Sequence, residues 1–202
     1  MKVNLAKELR GKMKIAYGIF EWGGEKKLGE YERVLKDAIE NYQIEPSRKL
    51  YRLLGIDPTK HRPACEALYR RCVKKGEFPS IHPIVDAINL LSVMNSLPYG
   101  LYDLDKVRGT VNIRKGCSGE GYKGIGRNWI NLEGRLLLED EEGPFGNPTG
   151  DSERTKVSSY TRNFFYVIFA PGGYQIEEAN RLTEEKLRLW MEVKFKEKGV
   201  VE

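Results

Sequence analysis

What most constrains the fold is a change of periodicity part-way along the chain. Between Leu28 and Pro98 the apolar residues recur at helical steps. Leu28, Tyr31, Leu35, Ala38 and Tyr42 lie three or four apart and define an amphipathic helix. Pro46 suits the first turn of a second helix running to Leu54, with Gly55 as its stop. Pro63 opens a third, with Cys65, Leu68, Tyr69 and Cys72 on its inner face and Gly76 at its end. Pro83 opens a fourth, which carries Ile84, Ile88 and Leu91 and stops before Pro98. Beyond that point strands take over. Residues 108–115 alternate Val111 and Ile113 with Thr110, Asn112 and Arg114. Residues 129–132 and 135–139 are short strands around a turn at Glu133-Gly134, and residues 143–150 read as a turn-rich loop. Residues 162–169 make the strongest strand, rich in Phe, Tyr, Val and Ile, and Pro171-Gly172-Gly173 breaks it. An earlier strand over residues 12–20 alternates Met13, Ile15, Tyr17 and Ile19, and residues 175–198 read as a long closing helix. Helices first, strands in the middle and a final helix predict an α+β fold, layered, with largely antiparallel sheet packed against helices. No repeat or polar linker divides the chain, so residues 1–202 are expected to form one domain.

Composition narrows the function classes. With 40% hydrophobic and 31% charged residues over 202 positions, the chain is neither disordered nor a small disulfide scaffold. Its longest apolar run, Asn163–Pro171, is far short of the ~20 residues a membrane span requires. The opening MKVNLAKELRGK is too polar for a secretion signal, so a soluble cytoplasmic protein with no membrane partner is expected. Lys and Arg number 34 against 29 Asp and Glu, a formal charge of +5 that is compatible with a polyanion. Cys65 and Cys72, seven apart on one helix, would sit ~10 Å apart along its axis, too far for a disulfide. They read as small core residues, and Cys117 has no C-x-x-C partner. The two histidines, His61 and His82, leave little from which to build a zinc site or a catalytic triad, so neither metal nor cofactor is expected. His82, just before a helix-opening proline, reads as a cap or packing residue.

Three local patterns bear on chemistry. Gly119-x-Gly121-x-x-Gly124 matches the dinucleotide fingerprint, but Ile125-Gly126-Arg127-Asn128-Trp129 follows where a helix should begin. Without a helix N-terminus there is no dipole to meet a pyrophosphate, and a hairpin between strands is the better reading. Arg70, Arg71, Lys74 and Lys75 form a basic run on the third helix, either a solvated face or a contact for RNA phosphates. The segment from Gly143 to Thr155, with two prolines and three glycines ahead of Asp151-Ser152-Glu153-Arg154, either aims polar groups at a ligand or is a surface loop in which Asp151 or Ser152 caps a turn.

Three further segments carry a family resemblance. They are His82-Pro83-Ile84-Val85-Asp86-Ala87-Ile88-Asn89; Leu97-Pro98-Tyr99-Gly100-Leu101-Tyr102-Asp103-Leu104-Asp105-Lys106-Val107; and Asp151-Ser152-Glu153-Arg154-Thr155-Lys156-Val157 followed by Thr161-Arg162-Asn163. In this order, over roughly residues 60–170, the chain resembles the editing (B3/B4) domain of the phenylalanyl-tRNA synthetase beta subunit, and more closely the freestanding proteins that consist of little else. The resemblance implies a layered α+β fold and a role in hydrolysing, in trans, the ester of a mischarged tRNA, with tRNA or aminoacyl-tRNA as partner. Non-catalytic tRNA or RNA binding, and hydrolysis of a small aminoacyl derivative, stand as alternatives.

Glu153 falls where the synthetase motif has the glutamate that reads a tyrosine hydroxyl, as a carboxylate can by accepting from a phenol. Gly100 stands where that motif has histidine, Gly-Leu-Tyr-Asp replacing His-Ala-Phe-Asp, so the substrate is expected to differ from tyrosyl-tRNA. On this reading Glu153, Arg154 and Thr155 carry the chemistry: Glu153 reads the amino acid, Arg154 grips an anionic group and Thr155 orients water. Tyr99, Gly100, Asn147 and Ser152 shape the pocket. Asp86, Asn89, Asp103 and Asp105 are expected to be mainly structural.

Overall fold

Residues 1–26, 31–76 and 78–202 are described by a computed structural model of the chain. The strong strand is its centre. β9 (Asn163–Pro171) pairs antiparallel with β2 (Met13–Lys26) on one side and with β3 (Tyr99–Asp103) on the other. Phe164, Tyr166, Ile168 and Ala170 point to one side of this sheet, and Phe165, Val167 and Phe169 to the other. All seven are buried, so β9 is covered on both faces.

The first face is covered by helices. α4 (Pro83–Met94) presses Ile84, Ala87, Ile88 and Leu91 onto it, and α5 (Ile176–Trp190) adds Ile176, Ala179 and Leu187. Outside α4 lie α1 (Tyr31–Glu40) and α3 (Ala64–Lys75), which explains why α4 is apolar nearly all round. The second face is covered by another sheet, in the order β1 (Val3–Leu5), β4 (Val111–Lys115), β7 (Leu136–Asp140), β8 (Gly143–Gly146). Val3, Leu5, Val111, Ile113, Leu136, Leu138 and Phe145 fill the space between the sheets, and α2 (Glu45–Leu53) adds Leu50 and Tyr51. The molecule is therefore α+β, a stack of helices, sheet and sheet, and among the described strands only β1 and β4 pair in parallel.

Helix ends follow their punctuation. Pro63 is the N-cap of α3, and Gly76 closes it at a φ of 66°, in the left-handed region that glycine enters without strain. Pro83 takes the first turn of α4, and the His82 ring caps it by accepting from the Ile84 amide at 3.2 Å. The glycine-rich fingerprint forms a two-stranded ribbon, β5 (Gly121–Lys123) against β6 (Trp129–Asn131), with no helix after it. Leu28, expected near the start of the first helix, lies outside the described residues.

Three expectations are corrected. The closing helix does not run to Lys198; it ends at Trp190 and the chain continues as β10 (Met191–Val201), antiparallel to β2. From Glu192 onward half-buried Val193 and Phe195 alternate with exposed Lys194 and Lys196, a period of two that a helix cannot bury. The turn-rich loop begins as a strand, β8, paired with β7 through an irregular register. Tyr99–Asp103, given no element by its sequence, forms the edge strand β3.

Candidate ligand cleft

Four pieces of chain enclose a cleft of about 170 Å³ beside β3. Ile81, just before α4, with Val85, Ile88 and Asn89 on it, makes one wall. Steps of three and four from Val85 put Ile88 and Asn89 on the same helical face. Tyr99 and Leu101, two apart on β3, face the same way from the sheet. Asp151, Lys156 and Val157 from the segment after β8, and Ile125 from the ribbon turn, complete the lining.

Each piece is held in place. The Asp86 carboxylate accepts from the Ile81 amide at 2.8 Å and fixes the chain entering α4. The ribbon docks on the 151–153 segment: the Ile125 amide donates to the Asp151 carbonyl at 3.1 Å, and the Glu153 amide to the Lys123 carbonyl at 2.8 Å. This brings Ile125, in the glycine-rich stretch, to the cleft. The Asn147 side chain accepts from the amides of Thr149 and Gly150, forming a side-chain-closed turn. The Tyr51 hydroxyl bonds to the Thr149 hydroxyl at 2.7 Å, tying that turn to α2.

Of the seven residues expected to form catalytic centre and pocket, only Tyr99 lines the cleft. Its hydroxyl is turned away, bonded to Thr183 at 2.8 Å and to Asn95 at 3.0 Å. Gly100 lies on the opposite face of β3. Asn147, Ser152 and Thr155 are buried in local hydrogen bonds, with the Ser152 and Thr155 hydroxyls 3.2 Å apart. Glu153 is half-buried and ion-paired to Lys156. The hydrogen bond from Lys156 holds the Glu153 carboxyl below the usual carboxylate range.

Arg154 points away from the cleft, toward the β7–β8 turn. Its guanidinium donates to Asp140 at 2.8 and 3.1 Å, to Glu142 at 3.1 Å and to the Lys106 and Gly143 carbonyls. Burial pushes the Asp140 carboxyl up, but bonds from Arg154 and from the Arg108 and Glu142 amides outweigh it and leave it below its ordinary value.

Asp151 contrasts with this. It lines the cleft and accepts from the Tyr102 hydroxyl at 2.8 Å. Burial pushes its carboxyl up to about 7, against the opposing pull of the Tyr102 hydroxyl and the Leu101 amide. Gly100 and Gly146 make the Tyr102 contact possible: a Cβ at either would stand 2.1 or 2.2 Å from the phenol oxygen. Sequence reasoning took Asp151 as a turn cap or a ligand-facing group without choosing, and took Asn89 as structural, although it lines the cleft. Ile125 and Lys156 gave no separate signal.

The basic run divides. Arg70 donates to the buried Glu66 carboxylate at 2.8 Å, which Arg48 also holds. Arg71, Lys74 and Lys75 are exposed near the C-terminal end of α3, without an ion pair among the described residues. Lys74 and Lys75 also complement the helix dipole there. Among the described residues no group of three or more His, Cys, Asp or Glu is placed to hold a metal ion, and no helix is long and apolar enough to cross a membrane.

Fold and cleft together define an α+β domain with a small, largely apolar cleft bearing one carboxylate and one ammonium. The B3/4 domain model matches residues 47–187, which include every residue lining the cleft, and the chain belongs to that family. The phenylalanine–tRNA ligase beta subunit of Nitrobacter winogradskyi is 27% identical over 116 residues, 57% of this chain and 14% of that protein. The corresponding subunit of Legionella pneumophila (strain Lens) is 29% identical over 73 residues, 36% of this chain and 9% of the relative. The matches thus span a small part of those relatives. A solved N-terminal fragment of the phenylalanyl-tRNA synthetase beta subunit from Pyrococcus horikoshii aligns over 99% of this chain and 50% of its own, at 17% identity and a TM-score of 0.49.

Proposed function

We propose that the cleft receives the amino-acid part of an aminoacyl ester and that the protein hydrolyses that ester on a mischarged tRNA. The observation that carries this reading is the cleft's size and lining. About 170 Å³ is roughly six waters' worth of space, below the usual range for a whole small-molecule ligand. It suits a side chain against Ile81, Val85, Ile88, Leu101 and Val157, with the ester at the charged rim. The B3/4 family and the phenylalanine–tRNA ligase relatives supply the tRNA context. An aminoacyl ester is already activated, so a positioned water, hydrogen-bond donors at the oxyanion and the terminal ribose hydroxyl suffice without a strong side-chain base. Glu153 serves by holding Lys156 at the rim, while Arg154 fixes the segment that carries Asp151. Arg71, Lys74 and Lys75 are the candidate contacts for tRNA phosphates.

Purified protein and its Val85→Trp variant, which fills the cleft, would be mixed with a panel of correctly and wrongly charged tRNAs. Selective release of one amino acid by the parent protein, lost in a variant of unchanged Tm, is the expected result. Release from no member of the panel overturns the hydrolytic reading. Salt-dependent binding of uncharged tRNA would then mark a binding module, and cleavage of a small aminoacyl ester without tRNA affinity a small-substrate hydrolase.

A further inference from the structure

We propose that Asp151, clasped by Tyr102 above Gly100 and Gly146, binds the primary ammonium of the ligand, so that the cleft selects amino acids by their free α-amino group. This rests on the aminoacyl reading of the cleft but does not require ester hydrolysis.

The first ground is the lining. Among the described residues Asp151 is the one carboxylate in it, and Lys156 the one cation. The Lys156 ammonium is ion-paired to Glu153. Asp151 is paired instead to a phenol, which donates a hydrogen bond and no charge. A carboxylate accepts about four hydrogen bonds. The Tyr102 hydroxyl supplies one, which leaves room for an ammonium entering from the cleft. Between apolar walls a charge-assisted bond of this kind is stronger than in water.

The second ground is the construction of the clasp. Tyr102 is fully buried, its ring edge-on to Phe145. Its hydroxyl occupies the space that a side chain at Gly100 on β3 or Gly146 on β8 would need, so both sheets leave room for this one oxygen. That hydroxyl is aimed at the carboxylate that lines the cleft. Tyr102 is a positioning residue: it orients Asp151 and does not line the cleft itself.

The groups facing Asp151 are Tyr102 and Tyr122 from the ribbon, and Lys156 lines the same cleft. Both tyrosines stay neutral, because burial raises their phenols. Ammonium binding therefore needs Asp151 to ionise, and its affinity falls as pH drops below about 7. At the alkaline end the ligand's own amine, with a pKa of ~8, loses its proton.

The test is calorimetric titration of the whole protein with a panel of amino-acid amides and their N-acetyl counterparts, from pH 5.5 to 8.5. At least one amide is expected to bind near pH 7.5, with its N-acetyl form at least tenfold weaker. Asp151→Asn should erase that preference. Tyr102→Phe removes a hydrogen bond that favours the carboxylate, so it should move the acid limb of the profile upward and leave the alkaline limb in place. Equal binding of amide and N-acetyl amide, an Asp151→Asn variant that still discriminates, an unmoved acid limb in Tyr102→Phe, or no binding by any amide would overturn the proposal. Amide binding without tRNA deacylation would overturn the ester reading alone.

Discussion

Asp140 and Asp151 lie on opposite sides of one segment and meet opposite treatment. Asp140 receives a guanidinium and two backbone amides, and is held below its ordinary pKa. Asp151 receives a phenol hydroxyl, and is pushed up to about 7. Burial raises both carboxyls; at Asp140 the Arg154 guanidinium and two amides outweigh it, whereas Tyr102 brings Asp151 no opposing charge. The Arg154 side is a saturated clamp that positions the chain. The Asp151 side keeps hydrogen-bonding capacity and opens on a cleft.

Breaking the clamp should have the largest effect. Arg154→Ala leaves the Asp140 carboxylate without its cation in a site the solvent does not reach, a loss of about 3 kcal/mol in urea unfolding. A loss below ~0.5 kcal/mol would mean the guanidinium does not anchor the segment. Next comes the clasp. Gly100→Ala places a methyl 2.1 Å from the Tyr102 oxygen and should cost about 2 kcal/mol. Adding Tyr102→Phe removes the closest contact, so the double variant should lose less than the sum of the two single losses.

The pH dependence separates the two carboxylates by sign. Asp140 contributes stability above its unfolded pKa and loses it as pH falls. Asp151, with its folded pKa raised, favours the fold fully below about pH 4 and loses that contribution as pH rises through about 7. Asp151→Asn should therefore raise Tm at pH 8 by about 2–4 °C and leave it nearly unchanged at pH 3.5. An equal change at both pH values would show that the carboxyl titrates normally.

How much of this was legible in the sequence follows from the range of the forces involved. The helices ending at Gly76 and starting at Pro83, and the strand at the centre of the sheet, are written in periodicity and local punctuation, and they formed where expected. The tail from Glu192 has a two-residue period of its own, but charged helical spacing just before it masked the change. β3 is five buried residues without alternation, and only its pairing with β9 makes it a strand. The site was harder for the same reason. Residues 151–156 carry six polar side chains in a row, and no local rule says that Arg154 meets Asp140 while Asp151 meets Tyr102. Those pairings are set by the β7–β8 turn and by two glycines 46 positions apart.

The smallest expected effect concerns Glu153, and it tests how far the two charged rim groups are insulated. Both partners of the Glu153–Lys156 pair are partly exposed, so Glu153→Gln should change stability little, as surface pairs generally do. What it should change is Asp151. Once released, the Lys156 ammonium is free to approach the carboxylate that lines the same cleft, and a nearby cation favours the ionised form. The Asp151 side-chain carbon, followed by NMR across pH, should then titrate about half a unit lower than in the parent protein. An unchanged midpoint would mean that Lys156 does not reach Asp151, and that Glu153 is not what keeps the carboxylate available for a ligand.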